Sequence, residues 1–550
     1  MFASNIVANR SGTVQKNHRW IHRLIACGFV IALGAPLSSC KDDFLTESPP
    51  HIIVPDNLYT DLSGFEAGLN GLYAQVRAER DGTDGLNQIR NEMWTVGTDN
   101  AFANYVSTAE RIFNTWGPLN TPAQPYYLDN WTWLYKTINA ANTIIVRADN
   151  PNVKWTPDQK NEVVAEAKLI RAWCYRHLTY LWGDVPLNLV ESSGANIRTD
   201  WARTPKAEVF AQMEQDLVFA EANLPETQSD PGKLVKAVAQ HYLAELYLRM
   251  GEPDKAETEA NAVINSGLYT LITQRYGVQA NTPGVAFMDQ FVDGNVNRNQ
   301  GNTEVLWAFQ LEENIPGGGE NIMRRYWLNR YYSDKGIAVS AANGGRGIGR
   351  LSPTAWAINL YEPSDDRGSI YAIRKFYLYN DPTNLPSGKQ VGDTLFLKWV
   401  TEKNSDPLWP STRKWDWTDP LNVNNDGAFG DQPYLRLAQT YLLLAEAQFD
   451  QGKLGPAANT LNVLRDRAHA SEIGAGDVTA DFILDEDSRE MMSEGDRRYT
   501  LLRMGKWLER TRLHNPLAAP TVAARDTVFP IPQAVIDANL GAPMAQNPGY

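Results

Sequence analysis

The chain has 550 residues, 43% of them hydrophobic and 21% charged, with a formal net charge of −13. That composition describes an acidic globular protein with enough apolar mass for a large core. It excludes a nucleic-acid binder, which needs a basic stripe to neutralise phosphates. The 17 Trp and 23 Tyr must either fill core or stand exposed as binding platforms.

Residues 1–39 predict a signal peptide: Arg10, Lys16, Arg19 and Arg23, with no Asp or Glu among them, precede an apolar run from Leu24 to Leu37. The run is too short for a spanning helix, which takes about 20 apolar residues. It ends in Leu37-Ser38-Ser39-Cys40, which resembles the bacterial lipobox, so Cys40 is the expected lipidation site and residues 40–57 the lipidated tether. Of the three Cys, Cys27 leaves with the signal peptide and Cys40 takes lipid. Cys174 is then left without a partner, and no intramolecular disulfide is expected.

Apolar residues at three-and-four spacing predict helices over 58–80, 126–148, 158–182, 205–223, 232–250 and 253–266. Cys174 and His177 share the stripe Val163, Ala167, Ile170, Leu181 and read as core, as do Trp131, Trp133 and Tyr135. Leu243-Ala244-Glu245, Gly251, Ala256 and Asn261 recur as Leu444-Ala445-Glu446, Gly452, Ala457 and Asn462, a repeat that looks like a tetratricopeptide helical hairpin. From 278 to 430 Gly, Pro and Asn dominate, with short β-prone runs at Glu304–Phe309 and Leu395–Val400, and helices resume at 434–450, 455–468 and 485–493. The fold class expected is mainly α: a tetratricopeptide-like hairpin scaffold with a large loop-rich irregular insert and few short strands. Its N-terminal helical part is 58–277 and its C-terminal part 278–550, the latter made of the insert (278–430) and closing helices with a tail (431–550).

Long loops in compact proteins are usually functional, which directs the search for a site to Asp81–Pro125 and Asn281–Gly349. The first offers Trp94, Asp99, Asn100, Tyr105 and Trp116; the second, after Gly317-Gly318-Gly319, offers Asn321, Arg325, Trp327, Tyr331 and Tyr332. Aromatic faces stack on the C–H patch of a pyranose while polar side chains bond its hydroxyls. Asp293, Asn295, Asn297, Asn299 and Glu304 match the ligand spacing of a calcium loop, although Arg298 stands where that loop needs Gly; a solvated Asn-rich turn is the alternative. No other cofactor is expected. No G-x-S-x-G elbow or P-loop appears, and none of the five His outside the signal peptide forms an H-x-x-x-H pair.

Across the mature chain the motifs resemble the SusD/RagB family. They begin with Cys40-Lys41-Asp42-Asp43-Phe44-Leu45, Trp182-Gly183-Asp184-Val185-Pro186-Leu187, Arg203-Thr204-Pro205 and Asn302-Thr303-Glu304-Val305. They continue with Asp366-Arg367, Tyr434-Leu435-Arg436, Arg489-Glu490, Glu494-Gly495-Asp496-Arg497-Arg498, Phe529-Pro530-Ile531-Pro532 and Gln546-Asn547-Pro548-Gly549-Tyr550. The resemblance implies a non-catalytic lipoprotein of the outer membrane, facing the extracellular side, that binds a nutrient, usually an oligosaccharide. It also implies delivery of that nutrient to a SusC-like TonB-dependent transporter. Glu490, Arg497 and Arg498 are expected to fix the last helices and the prolines to stiffen the tail. The alternatives are a glycoside hydrolase, which needs two carboxylates about 5–10 Å apart across a cleft, or a peptide-binding surface lipoprotein of the same architecture.

Overall fold

The computed structural model describes residues 54–80, 90–104, 111–194, 196–313, 315–398, 408–425 and 427–550. The signal peptide, Cys40, Tyr105 and the end of the run Leu395–Val400 lie outside the described residues.

The N-terminal half is a succession of capped helices. Helix α1 (Leu62–Arg77) starts where the Asp61 carboxylate accepts from the Gly64 N–H at 3.0 Å. Helices α2 (Pro125–Arg147) and α3 (Pro157–Trp182) open on proline, whose missing N–H costs nothing at that position. Thr156 and Gln159 close a capping box on α3, and Gly183 ends it at φ +75°. Helix α3 packs against α1, α2 and α4 (Lys206–Asn223), so it is buried on nearly every side. Cys174 and His177 accordingly sit in core, and burial pushes the Cys174 thiol up.

The repeat is a pair of stacked hairpins. Helices α5 (Lys236–Met250) and α6 (Pro253–Ile264) turn at Gly251, and α7 (Leu437–Asp450) and α8 (Leu454–Arg467) turn at Gly452. Both glycines are left-handed, at φ +76° and +72°, a conformation that costs other residues. Ala256 and Ala457 are fully buried at the crossings, and α6 packs on α7, joining one hairpin to the other.

The insert contributes short antiparallel ribbons: β1 (Ala101–Ala103) with β3 (Leu351–Pro353), β2 (Val305–Phe309) with β8 (Gln432–Arg436), β4 (Ile373–Arg374) with β7 (Ser411–Thr412), and β5 (Phe376–Leu378) with β6 (Thr394–Phe396). Strand β2 is apolar without alternation and buried throughout, and β8 runs straight into α7. The β2–β8 register shifts around Trp307. Past α8 the chain adds α9 (Ala480–Met491) and two helices that apolar periodicity does not reveal, α10 (Arg497–Arg503) and α11 (Trp507–His514).

Buried ion pairs replace apolar contacts where the insert meets these helices. Arg436 pairs with Glu304 (2.6 Å), Glu490 (3.0 Å) and Glu494 (2.7 Å), and Arg467 with Glu490 (2.6 Å) and Glu304 (3.0 Å). Arg367 bridges Asp365 (2.9 Å) and Glu486 (2.7 Å). Burial pushes the Glu490 carboxyl up, but Arg467, Arg436 and Arg367 outweigh it and hold it well below the carboxylate range. The tail is pinned to the Trp182-Gly183 turn: the Trp182 indole donates to the Pro530 carbonyl at 3.0 Å and Asn547 to the Trp182 carbonyl at 3.0 Å.

This network takes up side chains of the calcium-loop pattern. Glu304 is spent on two arginines and Asn297 on Asp431 at 2.7 Å. Asn295 bonds the Val278 N–H at 2.8 Å and the Asp289 carbonyl at 3.0 Å. Three of the five side chains are therefore engaged by protein groups, and no cluster of three His, Cys, Asp or Glu among the described residues could hold a metal.

Candidate functional site

A cleft of about 510 Å3 opens at the C-terminal end of α1, where the first long loop begins, and is closed by a turn of the second. Its floor is aromatic. Phe309 stacks on the partly buried Tyr434 with ring centroids 4.2 Å apart, and the Trp307 indole donates to the Gly232 carbonyl at 3.1 Å, so the Phe309 and Trp307 rings are fixed and almost fully buried.

Its walls are polar. Asn70 and Arg77 come from α1, Asp230 and Lys233 from the turn before α5, Gln310 and Glu312 from the end of β2, and Asp431 from the start of β8. Arg77 donates to the Gly317 carbonyl and thereby ties the helix to the glycine turn. The Glu312 N–H donates to Gly318 at 3.1 Å, and a Cβ on Gly318 would lie 2.1 Å from the Glu312 carbonyl oxygen, so only glycine lets the turn close. Asp431 accepts from the Leu311 N–H at 2.9 Å and from Asn297; burial raises its carboxyl against those bonds. Asn70, Asp230 and Glu312 are exposed and Lys233 is half-buried. The cleft can therefore offer both donors and acceptors to a ligand rich in hydroxyls.

The side chains expected to bind are elsewhere, and the structure corrects that expectation. Trp94, Trp116 and Trp327 are 0%, 0% and 1% exposed. Trp94 packs on His177 at 4.7 Å and Trp116 stacks on Phe529 at 5.9 Å, so no ring face is left for a ligand. Asp99 is held by Arg497 (2.6 Å) and Arg510 (2.8 Å), whose guanidiniums bring its carboxyl below the usual range although burial pushes the other way. Asn100 accepts from Ser488 at 2.7 Å. Asn321 caps the Met323 N–H at 3.1 Å, Arg325 is buried, and Tyr331 donates to the Gly345 carbonyl at 2.6 Å while stacking on Tyr377. Among the described members of that set only Tyr332 reaches solvent, and it does not line the cleft. Trp131, Trp133 and Tyr135 pack into the core and its margin as expected.

The cleft residues carried weak sequence signals. Asp230-Pro231-Gly232 is a turn signature and Gly317-Gly318-Gly319 marks a close approach, but nothing local says that two turns 85 positions apart face one another across α1.

Comparison with known proteins follows the same outline. A model described as the SusD family matches residues 303–550, and one described as starch-binding associating with outer membrane matches residues 43–248. SusD-like protein P2 of Formosa agariphila is 25% identical, over 94% of this chain and 98% of its own. The starch-binding protein SusD of Bacteroides thetaiotaomicron is 26% identical, over 70% of this chain and 72% of its own. Surface glycan-binding protein A from Bacteroides thetaiotaomicron superposes with a TM-score of 0.70 at 17% identity, over 90% of this chain and 100% of that one, a likeness of fold alone.

Proposed function

This chain belongs to the SusD/RagB family, and from that premise we propose that it is a non-catalytic surface glycan-binding lipoprotein of the outer membrane that takes up an oligosaccharide in the cleft at the end of α1. The observation that carries the reading is the cleft itself: about 510 Å3, large enough for a few sugar rings, walled by hydrogen-bonding side chains and tied shut by Arg77 and the glycine turn. The anchor is Cys40, on the strength of Leu37-Ser38-Ser39-Cys40. The partner is a SusC-like TonB-dependent transporter, to which the bound glycan is delivered.

The test is glycan binding by Asp230→Asn, Lys233→Ala and Glu312→Gln, variants at the rim that leave the core untouched. Each is expected to weaken a glycan that the parent binds by about tenfold, or about 1.4 kcal/mol, with an unchanged melting temperature. Wild-type affinity in all three sinks the assignment of this cleft.

A further inference from the structure

A second concavity lies in the insert. Pairing of β4 with β7 sets Arg374 opposite Ser411 and so near Arg413, which follows the strand, and the cleft that opens over them, about 400 Å3, is lined also by Lys375, Asn343, Phe376 and Val391. Among the described residues no Asp or Glu lines it. Asp416 stands at its edge, where a single carboxylate oxygen accepts from Arg374 and, at 2.8 Å, from Arg413 Nε. Two guanidiniums thus share one carboxylate and retain a positive charge. Lys375 adds another, since its ammonium donates to the Gly368 carbonyl. Arg413 Nη1 donates to the Ile370 carbonyl at 3.1 Å, while Nη2 has no partner among the described residues. Asp393, next to the lining Gly392, is turned into its own loop, where it accepts from the Gln390 N–H at 3.0 Å.

On a chain of net charge −13, a cleft with an uncompensated excess of cations sets up a local field of the opposite sign to the rest of the molecule. Two guanidiniums that share a single carboxylate are incompletely compensated, and an oxyanion that accepts from the more exposed Arg413 adds charge-assisted bonds. The apolar side adds a second element of recognition. Tyr377 and Tyr379 point inward, so the alternate residue Phe376 faces out with its cross-strand partner Phe396, which is 68% exposed, ring centroids 6.2 Å apart. An outward aromatic pair beside cations suits a sugar ring that carries a negative group.

We propose that this cleft is a second binding site, which takes the carboxylate or sulfate of an acidic saccharide on Arg413 and Lys375. That the anion rides on a sugar rests on the glycan reading above; the preference for an anion does not.

The experiment is calorimetric titration of the full mature chain with an α-1,4-linked tetragalacturonate, its carboxyl-reduced neutral counterpart, a sulfated galactose tetrasaccharide and inorganic sulfate. We expect an acidic tetrasaccharide to bind at least about tenfold tighter than the neutral one, with the difference shrinking as salt is raised. The sulfated and carboxylated arms report which oxyanion is preferred. Arg413→Gln and the surface change Lys375→Gln should each lower acidic binding by about tenfold. Unchanged acidic binding in both Arg413→Gln and Lys375→Gln, with folding intact, overturns the proposal. Loss in Lys233→Ala but not in Arg413→Gln also overturns it, while leaving the glycan function standing in the larger cleft. Binding of sulfate alone, with no acidic saccharide bound, overturns it as a saccharide site.

Discussion

Glu245 and Glu446, equivalent positions of the two helical hairpins, converge on one guanidinium: Arg503 lies 2.7 Å from Glu446 and 3.9 Å from Glu245. Arg503 ends α10, so the last part of the chain locks the two hairpins through the one acidic position that the repeat shares. Glu245 also pairs with Arg176 at 2.8 Å. Burial pushes its carboxyl up, but Arg176, Arg503 and Arg249 outweigh it and bring it down to about 2.

Arg503→Met should therefore cost about 3–5 kcal/mol, because it leaves Glu446 buried without its partner. Adding Glu446→Gln to that variant should recover a large part of the loss. Urea unfolding of the two variants measures both numbers, and a single variant within about 1 kcal/mol of the parent would show that the pair holds nothing.

The tryptophans make a separate prediction. Trp94→Ala and Trp116→Ala should each cost about 3–5 kcal/mol of folding stability, the scale for emptying a large core site. Whatever fraction stays folded should bind glycan as the parent does. A variant with an unchanged melting temperature and weakened glycan binding would return that ring to the role of a platform.

Legibility in the sequence divides along the range of the interactions. Helices α2 to α8 follow their apolar spacing and their caps, all local signals: Pro157 with Thr156 and Gln159, Gly251, Gly452. The hairpin repeat was legible because close helix packing demands small residues at fixed spacing, and Ala256 and Ala457 are there. Trp94 was not legible, since it lies on a four-residue helix in an irregular segment and is buried by His177 and Tyr499, the latter about four hundred positions away. Asp99 reads locally as a loop carboxylate, and only the fold brings Arg497 and Arg510 to it. Helices α10 and α11 hide for the same reason: Arg497, Arg503 and Arg510 turn to the buried acids Asp99 and Glu446 instead of solvent, which blurs the apolar stripe.

The anchor is tested by Cys40→Ala. One saturated chain gives only marginal membrane binding, and stable attachment takes more than one, as a multiply acylated Cys supplies. The variant should leave the membrane fraction or accumulate unprocessed with the mass of the signal peptide retained. Unchanged fractionation together with unchanged mass would sink the lipoprotein reading.

The last prediction concerns pH, and its sign comes from two buried acids. Burial pushes both Glu79 and Glu166 up to about 7. For Glu79 this is offset only in part by Arg80 at 3.7 Å and by the Tyr434 hydroxyl, which donates at 2.6 Å; for Glu166 it is offset in part by the hydroxyl of Tyr73. His177, 3.9 Å from Glu79, brings no charge, because burial and the nearby Arg176 and Arg249 hold its imidazole well below its ordinary range. In the unfolded chain both acids ionise near 4.5. Their folded values lie above that, so the stability they contribute is complete below the unfolded value and is lost as pH rises through about 7. Going from pH 8 to pH 6, the folded state takes up protons that the unfolded chain does not, and stability should rise by on the order of 1 kcal/mol per group. Glu245 and Asp99 act in the opposite sense, since their folded values are depressed and their contribution is lost as pH falls below the ordinary carboxylate range. The melting temperature should therefore pass through a maximum at about pH 5–6. Calorimetric scans across that range check the shape, and the double variant Glu79→Gln, Glu166→Gln should flatten the limb above the maximum while leaving the acid limb in place. A limb between pH 6 and 8 that keeps its slope in the double variant would assign the pH dependence to other groups.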